Sequence, residues 1–499
     1  MKKFIRSLLA VFTVFIAFAQ KELCNPNNGI EIKGFHPQTY AAETISADAN
    51  SFNIYSYPHA KKGKIHSIWT YNKESNTLDY NELTVPKDYE PVFTYRVGDK
   101  FFSTYFQTTK KAGVNLITAF IPKNGGEIEY NTRLNIKLGK DEYVEKRSAE
   151  SPDGKKHAML FYVVSKKGTV AQMRILVYDE SGKEILNKII APEMYGETFS
   201  LKNISVTNDG EVALLLLTGE RKNWKFITTA IQLVICNSAY VESVGAPFED
   251  GIIYSMQVCP LKNGNYFIGG YYLSPKALTT DGFFHCFVDT KTMEVSKIVA
   301  QPLSKEQIAP KKLVDITTML NFNTQNRLIE QLEDGSIMMV GEHYGAYYVS
   351  TNNGSYYVYH FENIIYQHFD SDGELLAAPM LKKHQVFANS LGKNGVKFTD
   401  FHISVSPFVA GNDVYLLYND SQSNFKSGDG ATANAALVTA GANCTVLAKL
   451  ADSGPVTKLV MLPDNKSRQV NEVLHCDGNN VYFYTSGLKQ TILHHFTLP

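Results

Sequence analysis

The residues best suited to chemistry lie close together in the second half of the chain. Glu342 and His343 are adjacent, and Tyr344, Tyr347 and Tyr348 follow in a run that also holds Tyr356, Tyr357, Tyr359 and Phe361. A carboxylate beside phenol rings can accept hydrogen bonds from a sugar or another polar ligand while the rings stack against it, because tyrosine joins a rigid apolar body to a polar tip. The same carboxylate at a strand end can instead fix a neighbouring loop by satisfying backbone donors. Both roles stand open for Glu342. The candidate binding residues are therefore Glu342, His343, Tyr344, Tyr347 and Tyr348. The tyrosine-rich run as a whole reads either as an exposed protein- or glycan-binding surface or as a long hairpin packed on its own sheet, since SYYVYHF alternates as a strand does.

Linear catalytic signatures are missing. The chain has no G-x-S-x-G elbow, Walker A loop, H-E-x-x-H or C-x-x-C. Asp370-Ser371-Asp372-Gly373-Glu374 has a calcium-loop flavour but lacks the later ligands and the distal Glu, and it reads as a polar β-turn. Lys382, Lys383 and His384 form either a small anion patch or a solvated charge run. His494 and His495 alternate faces on one strand, which sends one inward and one outward and speaks against a metal pair. No catalytic residue, cofactor or metal ligand is assigned from the sequence.

Short strands must position these residues. Long amphipathic helices are nearly absent, and β-type runs alternate with Gly, Asp and Asn turns. The turns recur in register at Gly98-Asp99, Asp153-Gly154, Asp209-Gly210, Asn263-Gly264, Asp334-Gly335, Gly411-Asn412 and Asp477-Gly478, each just before an apolar strand. Such pairs suit tight type I′ hairpins. A second hairpin follows in most units, as in LVYDESGKEIL and QHFDSDGELL, so each unit holds four strands. The glycines from Gly98 to Gly264 recur at spacings of 56, 56 and 54, then stretch to 71 and 76 where loops are inserted. Four-stranded units at a near-fixed period define an all-β, single β-propeller.

Blades are expected at 92–137, 142–192, 197–246, 250–302, 321–385 and 398–461, with three more strands after 461. Strands from both termini sharing the last blade give seven; eight follow if FNIYSYP, KIHSIWTY and TLDYNELTV build a blade of their own, and six is the lower bound. Residues 303–320 open with Ser304 and Gln307 at capping-box spacing and predict a short helix broken near Pro310. Residues 426–443 read as a small-residue loop.

The first nineteen residues read as a cleaved secretory signal, with Lys2, Lys3 and Arg6 before an apolar run and an Ala17-Phe18-Ala19 cleavage site. The expected division is signal 1–19, N-terminal extension 20–51 and propeller 52–499. Leu23 before Cys24 argues against lipid anchoring, and no second long apolar run predicts a span in the mature chain. Cys236 and Cys286 sit in apolar strands as small hydrophobes, and no cysteine spacing dictates a disulfide. Lys+Arg and Asp+Glu balance at 49 each, which excludes a nucleic-acid binder acting through bulk basicity.

The segments LEDGSIMMVGEHYG, NIIYQHFDSDGELLAAPMLKKHQ and HISVSPFVAGNDVYLLYNDSQSN resemble a family of secreted propeller-like proteins associated with Bacteroidota. The resemblance rests on Asp334, Gly335, Gly341, Glu342, Tyr344, Lys382-Lys383-x-Gln385 and Tyr418-Asn419-Asp420, with Asn363-Ile364 where that family often has Asp-Ile and Ser336 for its second glycine. It implies the fold and export, and carries no activity. The expected function is a secreted or periplasmic, non-catalytic propeller binding a protein or other partner at the cell envelope. The alternatives are a carbohydrate-active enzyme using carboxylates at the channel mouth, whose acids would come from different blades and leave no linear motif, and a structural subunit of an envelope complex.

Overall fold

Every predicted turn glycine has a positive φ: Gly98, Gly154, Gly210, Gly264, Gly335, Gly411 and Gly478 lie between 55° and 91°. The turns are nevertheless not type I′, which requires positive φ at both central residues. The Asp or Asn partner stays at negative φ in each case. In the longer loops a tight turn ends on a left-handed glycine: Gly154 N–H donates to Ser151 O at 2.8 Å and Gly210 N–H to Thr207 O at 3.0 Å. The Asp or Asn side chain instead caps the turn from outside, as when Asp334 Oδ1 accepts from Ser336 N–H at 3.0 Å.

This is a computed structural model. It describes residues 23–24, 29–32 and 40–498, apart from 59–64, 110–112, 124, 167–169, 196–198, 223–224, 276–278, 309–311, 314–318, 321, 352–353, 391–403, 422–435, 438–442, 461–468 and 487–490. The strands form eight antiparallel blades, a β-propeller. Blades 1 to 8 span 40–84, 89–137, 142–190, 199–247, 252–302, 323–381, 406–460 and 469–497. The ring has eight blades, the alternative to the seven expected first, because the N-terminal strands build a blade of their own while a further N-terminal strand still closes the last blade. Tyr40–Ala47 joins the three predicted runs to make blade 1. Upstream of it, Ile30–Glu31 adds the fourth, outermost strand to blade 8, with Ile30 opposite Leu493 and Glu31 opposite Ile492. Leu23–Cys24 runs parallel to Leu459–Val460 on the edge of blade 7. The stretch 20–51 thus contributes propeller strands, while the signal-like residues 1–19 lie outside the described residues.

Apolar side chains on the second and third strands of each blade meet those of the next. Eight buried clusters result, one at each junction, including the junction of blade 8 with blade 1 through Tyr482, Tyr484, Leu493, Ile32, Phe52 and Trp69. Those middle strands are covered on both faces. Ala158 to Val164 are accordingly all buried, and AMLFYVV reads as a continuous apolar run. The outermost strands, such as Thr77–Thr84, are largely exposed and carry the polar residues.

Close approach of blades fixes Gly341. A Cβ added there would sit 2.4 Å from the Tyr271 ring of blade 5, and Tyr271 is fully buried with its hydroxyl donating to Gln367 Oε1 at 2.8 Å. Gly341→Ala is expected to destabilise by about 1–3 kcal/mol through overpacking, read as a lower urea midpoint with an unchanged slope.

The predicted helix at 303–320 does not form in the described part of that stretch. Its capping box does: Ser304 N–H donates to Gln307 Oε1 at 3.0 Å, and Gln307 N–H reaches Ser304 Oγ at 3.4 Å. Gln307 Nε2 also donates to the Ala378 carbonyl of blade 6, 2.6 Å distant, which ties this turn to that blade. Lys312–Leu313 and Met319–Leu320 pair as a small hairpin instead, and Pro310 lies outside the described residues. So does most of the loop expected at 426–443, apart from Ala436–Leu437, paired parallel to Gln385–Val386. Among the described residues no helix is long and apolar enough to cross a membrane.

Candidate functional site in the sixth blade

The second and third strands of blade 6, Ile337–Thr351 and Gly354–Phe369, are much longer than their counterparts elsewhere. The first strand pairs only as far as Tyr344, opposite Asn323. The hairpin therefore runs on past the blade, paired from Gly345–His360 to Thr351–Gly354. That is roughly 23 Å of extra strand at about 3.3 Å per residue. Gln385–Ser390 pairs along Tyr356–Phe361 and makes the extension three strands wide.

Alternation sorts the side chains of this extension onto two faces. One face carries an aromatic ladder. Tyr348 and Tyr357 lie at its outer end with ring centroids 5.2 Å apart, Tyr357 and Tyr359 are 6.0 Å apart, and Tyr359 and Tyr344 are 6.3 Å apart. Tyr344 then meets buried Phe361 at 5.2 Å. Exposure rises along the ladder, to 40% at Tyr357 and 54% at Tyr348. Tyr347 belongs to the opposite face, half-buried, with its ring 5.8 Å from His360.

Glu342 and His343 stand apart from this surface. Glu342 is fully buried. Lys383 Nζ donates to its Oε1, while Arg327 Nε donates to Oε2 at 2.8 Å and Ser404 Oγ at 2.5 Å. Burial alone would push the carboxyl up, but Lys383 and Arg327 outweigh it and hold Glu342 below its ordinary value. Burial conversely draws the Lys383 ammonium down, against the attraction of Glu342. His343 is also fully buried, its Nδ1 2.9 Å from Thr324 Oγ1 and its Nε2 2.8 Å from the Gln307 carbonyl. Burial lowers its imidazole, with the Gln307 carbonyl opposing in part. Of the five candidates, Glu342 and His343 are thus internal anchors, and Tyr344, Tyr347 and Tyr348 belong to the extension.

The reading of Lys382-Lys383-His384 as an anion patch or solvated run is corrected by the same geometry. Only Lys382 is exposed. Lys383 is 1% exposed, and its Nζ also donates to Gln385 Oε1 at 2.6 Å. Its backbone N–H donates to Asn363 Oδ1 at 3.1 Å, and its Nζ lies 5.8 Å from the Phe361 ring centroid and 6.0 Å from that of Tyr418. Gln385 Nε2 in turn donates to the Asn419 carbonyl. Residues that carry the sequence resemblance, Glu342, Lys383, Gln385, Tyr418 and Asn419, converge around one buried ion pair of blade 6, which the Gln385–Asn419 bond links to blade 7. Asp370 behaves as the polar turn expected, its Oδ1 accepting from the N–H groups of Asp372 and Glu374 at 2.9 Å each. His494 is buried, 2.9 Å from Thr485 Oγ1, and His495 is half-buried on the other face.

The structure also gathers a group that the linear scan for motifs passes over. His360 and Glu362 are two apart on one strand and so share a face. Phe361 is opposite Gln385 in the register, which sets His384 beside Glu362. One potential ligand atom from each of His360, Glu362 and His384 lies within 4.8 Å of the others. The signal available in the sequence was His-x-Glu inside an alternating strand, with a further histidine just before the next one.

No family model matches the chain, and no curated protein does. Among solved structures, Sqt1 from Chaetomium thermophilum is similar at a TM-score of 0.43 and 12% identity, over 95% of this chain and 100% of that one. The polysaccharide lyase Uly1 is similar at 0.40 and 12%, over 94% of each. The WD40 domain of SCAP from fission yeast is similar at 0.36 and 8%, over 92% and 98%. The class of the protein, an eight-bladed β-propeller, rests on the closed ring of blades and its eight junction clusters.

Proposed function

We propose that the chain is an exported, non-catalytic β-propeller that binds a protein partner at the cell envelope through the aromatic face of its sixth-blade extension. The observation that carries this reading is the Tyr348–Tyr357 pair, two large rings exposed side by side at the end of a rigid, fully paired hairpin. Tyrosines held this way supply contact area with little entropy to lose on binding, and such residues are enriched among interface hot spots. Glu342 is enclosed by its own partners, so it brings no acid–base chemistry to the face, which offers stacking and hydroxyl contacts. Export is supported by the signal-like residues 1–19 and by their Ala17-Phe18-Ala19 site.

The test is crosslinking and pull-down from the native envelope with the mature protein and with a Tyr348→Ser/Tyr357→Ser variant, followed by affinity measurement with the purified partner. One protein recovered in stoichiometric amount, and bound at least about tenfold more weakly by the variant, is the expected result. Recovery of a glycan alone, or equal binding by the variant at unchanged circular dichroism, overturns the reading.

A further inference from the structure

We propose that His360, Glu362 and His384 form a binding site for a first-row divalent cation of the zinc type, at the base of the sixth-blade extension. Two imidazoles and one carboxylate are a common ligand set for zinc, and hard cations such as magnesium and calcium would call for oxygen donors throughout. Adjacent strands hold the three residues in place, two by the alternation of Gly354–Phe369 and one by the register of Gln385–Ser390.

One of the two spacings already fits such an ion. His360 Nδ1 is 3.4 Å from Glu362 Oε1. Metal–ligand bonds of about 2.1 Å arranged tetrahedrally put neighbouring donor atoms about 3.4 Å apart. His384 Nδ1 lies 2.5 Å from Glu362 Oε2, closer than that separation, so a cation bound between them would move these two atoms apart. A second observation is independent of this spacing. His360 is 5% exposed, yet neither ring nitrogen makes a hydrogen bond. Buried imidazole nitrogens are ordinarily paired, since leaving one unpaired forfeits its solvation. His157 and His285 each leave one buried nitrogen unpaired, whereas His360 leaves both, and His343 one strand away has both paired. Glu362 retains 17% side-chain exposure, against 7% for His360 and 8% for His384, which gives an ion a path in from that side and water access to a remaining coordination position. A cation here would tie the hairpin arm to the neighbouring strand and so fix the direction in which the tyrosine ladder projects.

The experiment uses the full mature chain, with any affinity tag removed, stripped with chelator and titrated with zinc chloride by calorimetry. Cobalt(II) absorption serves as a second readout. The expected result is one equivalent bound, tetrahedral-type cobalt bands, proton release on binding, and a rise in melting temperature that chelator reverses. His360→Ala and His384→Ala should each weaken binding by about 100-fold or more, a ligand being worth at least what its outer-shell partners are. His368→Ala, which removes a histidine outside the cluster, should leave binding unchanged. Should His360→Ala fold poorly, His360→Gln keeps the volume and is read by the cobalt spectrum. Absence of binding, or zinc bound equally by wild type and both ligand variants, overturns the proposal. Either result leaves the tyrosine-face reading standing, since that reading does not depend on the ion.

Discussion

Lys383→Ala is expected to lower the stability of the protein by about 3–5 kcal/mol, the usual consequence of leaving one member of a buried ion pair behind. Glu342 would keep its enclosed position while losing the ammonium on Oε1, and Gln385 would lose the donor to its Oε1. Arg327 remains but is partly exposed, with 16% of its side chain accessible. Replacing both partners, as Glu342→Gln with Lys383→Met, removes the buried carboxylate and ammonium together but leaves Arg327 without its carboxylate, so it should recover only part of the loss. Protonation supplies a second check. Glu342 has a depressed folded-state value, so its contribution is present above the ordinary carboxylate value of 4.5 and is lost as pH falls through the folded one. Urea unfolding at pH 7 should therefore show the full gap between wild type and Lys383→Ala, and the gap should narrow in acid. A gap below 1 kcal/mol at pH 7 would show that the pair is not held as described.

The parts of this fold legible in the sequence are those governed by local chemistry. Each turn glycine sits where a left-handed residue is required, and the glycines kept register through four blades before insertions stretched the spacing. The blade count was harder, because Tyr40–Ala47 has too little apolar alternation to announce a strand and Ile30–Glu31 pairs through only two residues. The site shows the same division. The alternation of SYYVYHF left open an exposed surface or a hairpin packed on its own blade, and the strand pairs in a hairpin that runs on past the blade. Nothing local distinguished Lys383 from its exposed neighbour Lys382. The burial of Lys383 is set by Glu342, Phe361 and Tyr418, residues 41, 22 and 35 positions away that only the folded blades bring together. His360 and Glu362 were close in sequence, but their partnership with His384 depends on the register of a strand that follows a long connection. The capping box at Ser304 shows the converse, a local signal that forms as written while no helix follows it among the described residues.

Mild acid is expected to destabilise the protein strongly between pH 6.5 and pH 4 through two histidines in different blades. His157 is 4% exposed and lies flat against Tyr95, with centroids 3.6 Å apart and ring planes within 6°. Burial lowers its value to about 4, with the Gly154 backbone and Asp153 opposing. His66 is also 4% exposed, with Nδ1 2.5 Å from the Tyr55 hydroxyl, and burial again lowers it to about 4. The ordinary value is 6.5. Between the two values the unfolded chain binds the proton and the folded chain does not, so stability falls as pH falls across that window and changes no further below it. Each histidine then accounts for about 3 kcal/mol, and separate blades make the two contributions additive. His157→Phe isolates one of them. It keeps a flat ring against Tyr95 and removes both the titration and the Nε2 that has no hydrogen-bond partner. The variant should match or exceed wild type at pH 7, and between pH 6.5 and 4 it should lose about 3 kcal/mol less. Carboxylates titrating in the same range affect both proteins alike, so the difference between the curves reports His157 alone. Curves that stay parallel across that window would mean that His157 takes up its proton within the fold.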